Sequence, residues 1–278
     1  MWHPVLVTRG RPFPVERPRA EGHDRSRLVW EVCLVLAVTV GRSALYSVLS
    51  LVRTSIAAAQ QGQSLGQQQT ELNPTRDDQA LWDALYQALD LTSSIALVAL
   101  VVYLLWAPGD SALRRIGLDL RRPGSDLARG ALLAAVIGLP GLGLYVVGRL
   151  LGATLQVSAS PLDPAWYTVP LLLFAALRAG LVEEVIFNGY LFDRLRRLGW
   201  SWWAILLLAS GLRGAYHAYQ GLPAVLGNVV MGLVFGWCYR RWGRVMPLVV
   251  AHTLIDVVAF VGYPLAVSLW PAVFGSPA

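Results

Sequence analysis

The chain has no lysine: all 23 of its basic residues are arginine. Charge of either sign is scarce, 14% of 278 residues, where soluble domains carry about 25%. With 55% hydrophobic residues, that scarcity excludes an ordinary soluble globular domain. Cysteine is rarer still. Cys33 and Cys238 are the only two, and both fall in apolar runs. This pattern excludes a disulfide framework or a cysteine metal cluster and leaves packing as their role. The net charge of +6 does not point to nucleic acid, because the arginines sit at the ends of apolar runs, where they set membrane orientation. No convincing cleavage site follows the first run, which an Arg-rich stretch precedes and Arg42 breaks, so a retained helix is expected rather than a signal peptide.

What is present is a series of apolar runs near the length of about 20 residues that a bilayer requires. They predict an all-α, polytopic transmembrane bundle of about 7–8 helices with its site inside the membrane. Spans are expected at 28–52, 81–106, 127–151, 166–193, 200–218, 223–241 and 245–270. Three regions follow: an Arg/Pro-rich disordered tail over 1–27, N-terminal helices with a Gln-rich polar loop (57–74) over 28–111, and a core over 112–272. Residues 112–130 read as a basic amphipathic segment suited to the membrane surface. Arginines crowd alternate loops, while 153–165 and 219–223 hold no basic residue. That alternation predicts an integral protein with a cytoplasmic N-terminus, in a bacterial plasma membrane.

The candidate chemistry lies in three of these runs. Glu183 and Glu184 are adjacent within VPLLLFAALRAGLVEEVIFNGYLF. A carboxylate at the centre of a bilayer helix costs roughly 2.5–3.5 kcal/mol on insertion scales, so a paired acid there needs something to face. Glu183, Phe187 and Tyr190 share one helical stripe at i, i+4, i+7. Arg213 and His217 are one turn apart, as are His252 and Asp256. In the latter pair the carboxylate could accept one ring N–H and leave the other nitrogen for a cavity.

These residues resemble the motifs of the CPBP superfamily, the CAAX-processing and bacteriocin-processing intramembrane proteases of the Rce1 and Abi type. EEVIFNGYLF resembles its E-E-x-x-x-R motif, His217 the histidine of F-x-x-x-H, and His252 with Asp256 its H-x-x-x-N or H-x-x-x-D. The resemblance covers roughly 112–262. It implies an intramembrane endopeptidase acting on a membrane-associated or prenylated protein, with Glu183 as general base, His217 holding the water, and His252, oriented by Asp256, donating to the oxyanion. Glu184 would tune charge or structure. Two positions depart from the pattern: Asn188 replaces the arginine and Arg213 the phenylalanine. If they compensate, Arg213 reaches the acid pair from the neighbouring helix. The sequence has no H-E-x-x-H, so no single helix presents two ligand imidazoles and a metal-free centre is expected. If zinc were bound, its ligands would be Glu183, His217 and His252. The alternative is a proton- or ion-coupled transporter or a scaffold using the same groups, although no internal repeat of the transporter kind is present.

Other polar residues within spans, Arg42, Asp90, Arg178 and Asn228, read as helix-locking groups. The tryptophans, Trp200, Trp202 and Trp203 among them, read as an interfacial belt. The glycines of GNVVMGLVFG (227–236) read as allowing close helix packing. Tyr216, Tyr219 and Gln220 fit either a substrate path or the outer interface.

Overall fold

The computed structural model describes residues 18–159 and 167–269. Most of the expected N-terminal tail, and the end of the last expected span, lie outside them. The order is α1 (Gly22–Val38), α2 (Val40–Gln60), β1 (Gln69–Leu72), α3 (Ala80–Leu105), α4 (Ala112–Ile116), α5 (Pro123–Leu150), β2 (Gln156–Ala159), α6 (Thr168–Glu184), α7 (Phe192–Arg197), α8 (Trp202–Tyr216), α9 (Leu222–Trp242), α10 (Met246–Val257) and α11 (Tyr263–Leu269). The all-α expectation holds, with one small addition. Part of the Gln-rich loop forms β1, which pairs in parallel with β2.

Four helices, α3, α5, α9 and the continuous run 246–266, are long and apolar enough to cross a membrane. The bent pair α1–α2, turning by 45°, makes up to five. Large apolar side chains such as Leu89, Leu139 and Leu207 are exposed along the helices, as expected for surfaces that face lipid rather than water. This is an integral membrane protein. The expected spans 166–193 and 200–218 do not meet the same measure. The first carries Arg178, Glu183 and Glu184 and loses α-helical geometry at Val185; the second, α8, has only 15 residues.

The described end of the expected disordered tail is ordered. Ala20 is buried and its N–H donates to the Arg197 carbonyl. The segment 112–130 also departs from a surface-lying helix, because Ile116 and Arg115 are buried and Pro123 already opens α5. Several arginines read as loop charge are internal clamps. Arg194 binds Glu31 and Asp193, each at 2.7 Å, and the Leu104 carbonyl. Arg115 binds Asp110 at 2.5 Å, and Arg244 joins Asp119 at 2.9 Å to Asp126 at 2.6 Å. Trp202 is buried rather than interfacial, its ring 4.4 Å from that of Phe192, whereas Trp200 and Trp203 are exposed. Cys33 and Cys238 are free thiols.

Close helix approach comes from the glycines. A Cβ on Gly232 would lie 2.8 Å from the Ser210 Cα, and one on Gly236 2.3 Å from Leu206 Cδ1. That contact seats α9 against α8. Likewise Gly180 lets α6 meet α10, where a Cβ would lie 2.8 Å from Thr253 Oγ1 and 3.1 Å from the Val249 carbonyl.

Candidate active site

The acid pair sits where α6 ends and a π-helical turn, Val185–Leu191, begins. The wider turn redirects the side chains that follow, a geometry frequent at functional sites. It also breaks the stripe expected from α-helical spacing. Phe187 still faces the site, stacked under the Arg213 guanidinium at 5.2 Å. Tyr190 turns away, and its hydroxyl donates to Glu31 at 3.0 Å.

The two acids are placed differently. Glu184 is fully buried and receives three donors: Asn188 Nδ2 at 2.6 Å on Oε2, and Arg213 Nη2 at 2.5 Å with His252 Nδ1 at 2.7 Å on Oε1. Both carboxylate oxygens are thus engaged in short, charge-assisted contacts. Glu183 is also buried, but its Oε2 has no hydrogen-bond donor among the described residues. Arg213 Nη1 lies 3.8 Å from that oxygen and likewise makes no hydrogen bond. Arg213 therefore hydrogen-bonds one acid and holds the other by charge alone, and its guanidinium is sandwiched by Phe187 and by Phe235 at 5.5 Å.

The histidine tautomers follow from their partners. His217 caps α8, with Nδ1 2.9 Å from the Arg213 carbonyl. A carbonyl only accepts, so Nδ1 carries the proton and Nε2 of the neutral ring is bare. His252 Nδ1 meets a carboxylate and so also donates. Its short partner is Glu184 and not Asp256, whose Oδ2 lies 3.6 Å from Nε2, beyond hydrogen-bond distance. The orienting role expected for Asp256 thus falls geometrically to Glu184.

The structure brings all seven sequence-selected residues into one cluster. Glu183 acts electrostatically on His217, His252 and Asp256, and also on Tyr216 and Tyr219. His252 acts on His217 as well. The helix α8 stops at Tyr216, and α10 opens with Val245 N–H bound to the Ile116 carbonyl, against the packed 112–118 segment.

Among the described residues, no three His, Cys, Asp or Glu side chains are placed to hold one ion. The guanidinium beside Glu183 already supplies the positive charge there. A cavity of about 280 Å³ lined by Asn73, Asp77, Asp83, Tyr167 and Leu171 lies elsewhere. It is at the start of α6, 15 residues before Glu183, roughly 22 Å of helix.

Arg178 was expected to be a helix-locking group, along with Arg42, Asp90 and Asn228. Its companions do not lock helices together: Asn228 donates to the Ala224 carbonyl one turn back on α9 at 3.0 Å, Arg42 lies over the Tyr46 ring on the same helix, and Asp90 pairs with Arg76 at 2.6 Å in an exposed contact. Among the described residues, Arg178 is the one of the four that reaches another helix, its Nη1 donating to Ser94 Oγ on α3 at 3.4 Å.

Residues 164–258, 95 of 278, match the family model of type II CAAX prenyl endopeptidase Rce1-like proteins. This stretch is similar to the Rce1-like family. The matched stretch contains every residue of the cluster, from Glu183 to Asp256. No curated protein and no solved structure matches the chain.

Proposed function

We propose that this protein is an intramembrane endopeptidase of the CAAX type, hydrolysing a peptide bond of a membrane-associated, prenylated protein without a metal ion. The observation that carries this reading is the unequal placement of the two acids. Glu184 is saturated by Asn188, Arg213 and His252, whereas Glu183 keeps a buried oxygen without a donor. A general base needs such an oxygen.

In this mechanism Glu183 takes a proton from water, and the bare Nε2 of His217 accepts the water's second O–H. The hydroxide adds to the scissile carbonyl, and the charge developing on its oxygen is met by donors on the opposite wall. His252 serves there only as the doubly protonated imidazolium, because its Nδ1–H is already given to Glu184. Arg213 supplies the positive charge beside the acid pair, 2.5 Å from Glu184 and 3.8 Å from Glu183. Glu183 then returns the proton to the departing amine as the C–N bond breaks. Asp256, when ionised, only accepts hydrogen bonds and takes no donor role. The arginine-rich loops support a cytoplasmic N-terminus in a bacterial plasma membrane.

The test uses purified protein in nanodiscs with an S-farnesylated CAAX-type peptide in ¹⁸O-water. Wild type should yield a shortened peptide with one ¹⁸O in its new carboxylate, and Glu183→Ala none. Cleavage by Glu183→Ala at the wild-type rate would remove Glu183 as the base.

A further inference from the structure

Two polar atoms of opposite kind lie side by side in the buried site, and neither is hydrogen-bonded among the described residues. They are Oε2 of Glu183, an acceptor, and Nη1 of Arg213, a donor. Their separation is 3.8 Å, beyond the reach of a hydrogen bond. Arg213 is 1% exposed, so water outside the protein does not satisfy its nitrogen. A buried donor left without a partner is costly. One that sits beside the open oxygen of the base marks a place that a ligand completes.

The guanidinium is fixed before any substrate arrives. Phe187 and Phe235 hold it between their rings at 5.2 and 5.5 Å, and Glu184 takes Nη2 at 2.5 Å. Nη1 is the terminal nitrogen left over. The groups that the family pattern offers for the substrate oxygen are poorer donors here. His252 gives its Nδ1–H to Glu184 at 2.7 Å, so the neutral ring has only a bare Nε2. Ionised Asp256 accepts hydrogen bonds and donates none.

We infer that Arg213 Nη1 is the oxyanion donor of this site, a catalytic role beyond its pairing with Glu184. This rests on the peptidase reading and assigns the donor which that reading requires. As Glu183 takes a proton from water, its own negative charge is lost. The electron pair left on the hydroxide oxygen forms the new C–O bond, and the carbonyl π pair moves onto the substrate oxygen. Negative charge thus passes from Glu183 to an atom close by, and the cation beside Glu183 serves both without moving. Its N–H bonds the new anion more strongly than the neutral carbonyl, and a contact that strengthens as charge develops lowers the barrier. Collapse returns the pair to the carbonyl, breaks the C–N bond and passes the proton of Glu183 to the amine. The planar fork of arginine allows one nitrogen for structure and another for chemistry.

The experiment separates the two tasks. Asn188→Arg, Arg213→Phe keeps a guanidinium for Glu184 and removes Nη1 from the site. Wild type and this variant, in nanodiscs, are compared in kcat and KM on an S-farnesylated CAAX-type peptide. Each is also titrated by anisotropy with two uncleavable fluorescent analogues, whose scissile amide is replaced by an anionic phosphinate or by a trans-alkene that has no oxygen. In the double variant kcat should fall about a hundredfold or more with KM little changed. The phosphinate should bind roughly ten- to hundredfold more weakly and the alkene as in wild type. Arg213→Lys, which keeps one charge for Glu184 but lacks the second nitrogen, should show the same selective loss and serves if the double variant does not fold. Wild-type kcat in the folded variant, unchanged phosphinate binding, or equal weakening of both analogues would overturn the inference. If the phosphinate binds through Arg213 while wild type cleaves no peptide, the oxyanion-binding site stands and the peptidase reading fails.

Discussion

Exchanging the two departures from the family pattern tests whether Arg213 does the work of the missing arginine. Arg213 is 1% exposed and lies 2.5 Å from Glu184, itself fully buried. Arg213→Phe alone strands that carboxylate, and removing one member of a buried pair costs about 3–5 kcal/mol. The structure explains how Asn188→Arg would offset the loss. Asn188 already reaches Glu184 Oε2 at 2.6 Å, so an arginine there approaches the same carboxylate from one turn along, using volume that position 213 gives up. A phenylalanine at 213 would enter the gap between Phe187 and Phe235, now filled by the guanidinium at 5.2 and 5.5 Å, within the range of favourable ring contacts. The double variant Asn188→Arg, Arg213→Phe should therefore recover most of the lost stability, with formal charge unchanged. Stability is read as the SDS fraction that unfolds the helices in mixed micelles, followed by circular dichroism. A double variant no more stable than Arg213→Phe would refute the exchange.

Two further outcomes follow from the packing and the ion network around Arg244. Gly130→Ala should destabilise by about 1–3 kcal/mol in the same unfolding assay, because its Cβ would lie 2.4 Å from Val250 Cγ1 and 3.0 Å from the Pro247 carbonyl. Arg244→Gln should cost about 3–5 kcal/mol at neutral pH, since it leaves the buried Asp126 without its guanidinium. The same variant should flatten the acid limb of stability. Partial burial pushes the Asp119 carboxyl up, but the Arg244 hydrogen bond, the Arg121 N–H and their charges hold it below its ordinary value of 3.8. Its contribution is therefore complete above that value and lost as pH falls through the lowered folded one. An acid limb identical in Arg244→Gln and wild type would contradict this.

The residues of the site were legible because chemistry inside a membrane is conspicuous. Adjacent glutamates and two histidines in apolar runs have few structural reasons to be there, and the Arg213 contact with the acid pair follows from the departure at Asn188. The apportioning of roles was less visible. Helical spacing linked His252 to Asp256, but the closer carboxylate comes from another helix, because the crossing at Gly180 brings Glu184 up against α10. The π-helical turn has no period that pattern reading detects, so Tyr190 was misplaced with Glu183. Loop arginines announced orientation, yet Arg115, Arg194 and Arg244 also pair internally with acids more than four residues away in sequence or on other elements. Arg178 reads as a packing group, and its hydrogen bond to Ser94 on α3 agrees with that. Span counting also reached its limit at α6 and α8, the two helices that carry the polar site and so fall short in apolarity or length.

The central claim is a division of labour between neighbouring glutamates, and one side-by-side comparison tests it most directly. Glu183→Gln and Glu184→Gln are each assayed for kcat/KM on the farnesylated peptide and for unfolding in SDS. Glu183→Gln should lose about a hundredfold or more in kcat/KM and stay within about 1 kcal/mol of wild-type stability, since no hydrogen-bond donor is lost. Glu184→Gln should be the destabilised one, because three donors converge on that carboxylate. Full turnover by Glu183→Gln, with activity lost instead in a stably folded Glu184→Gln, would contradict the account.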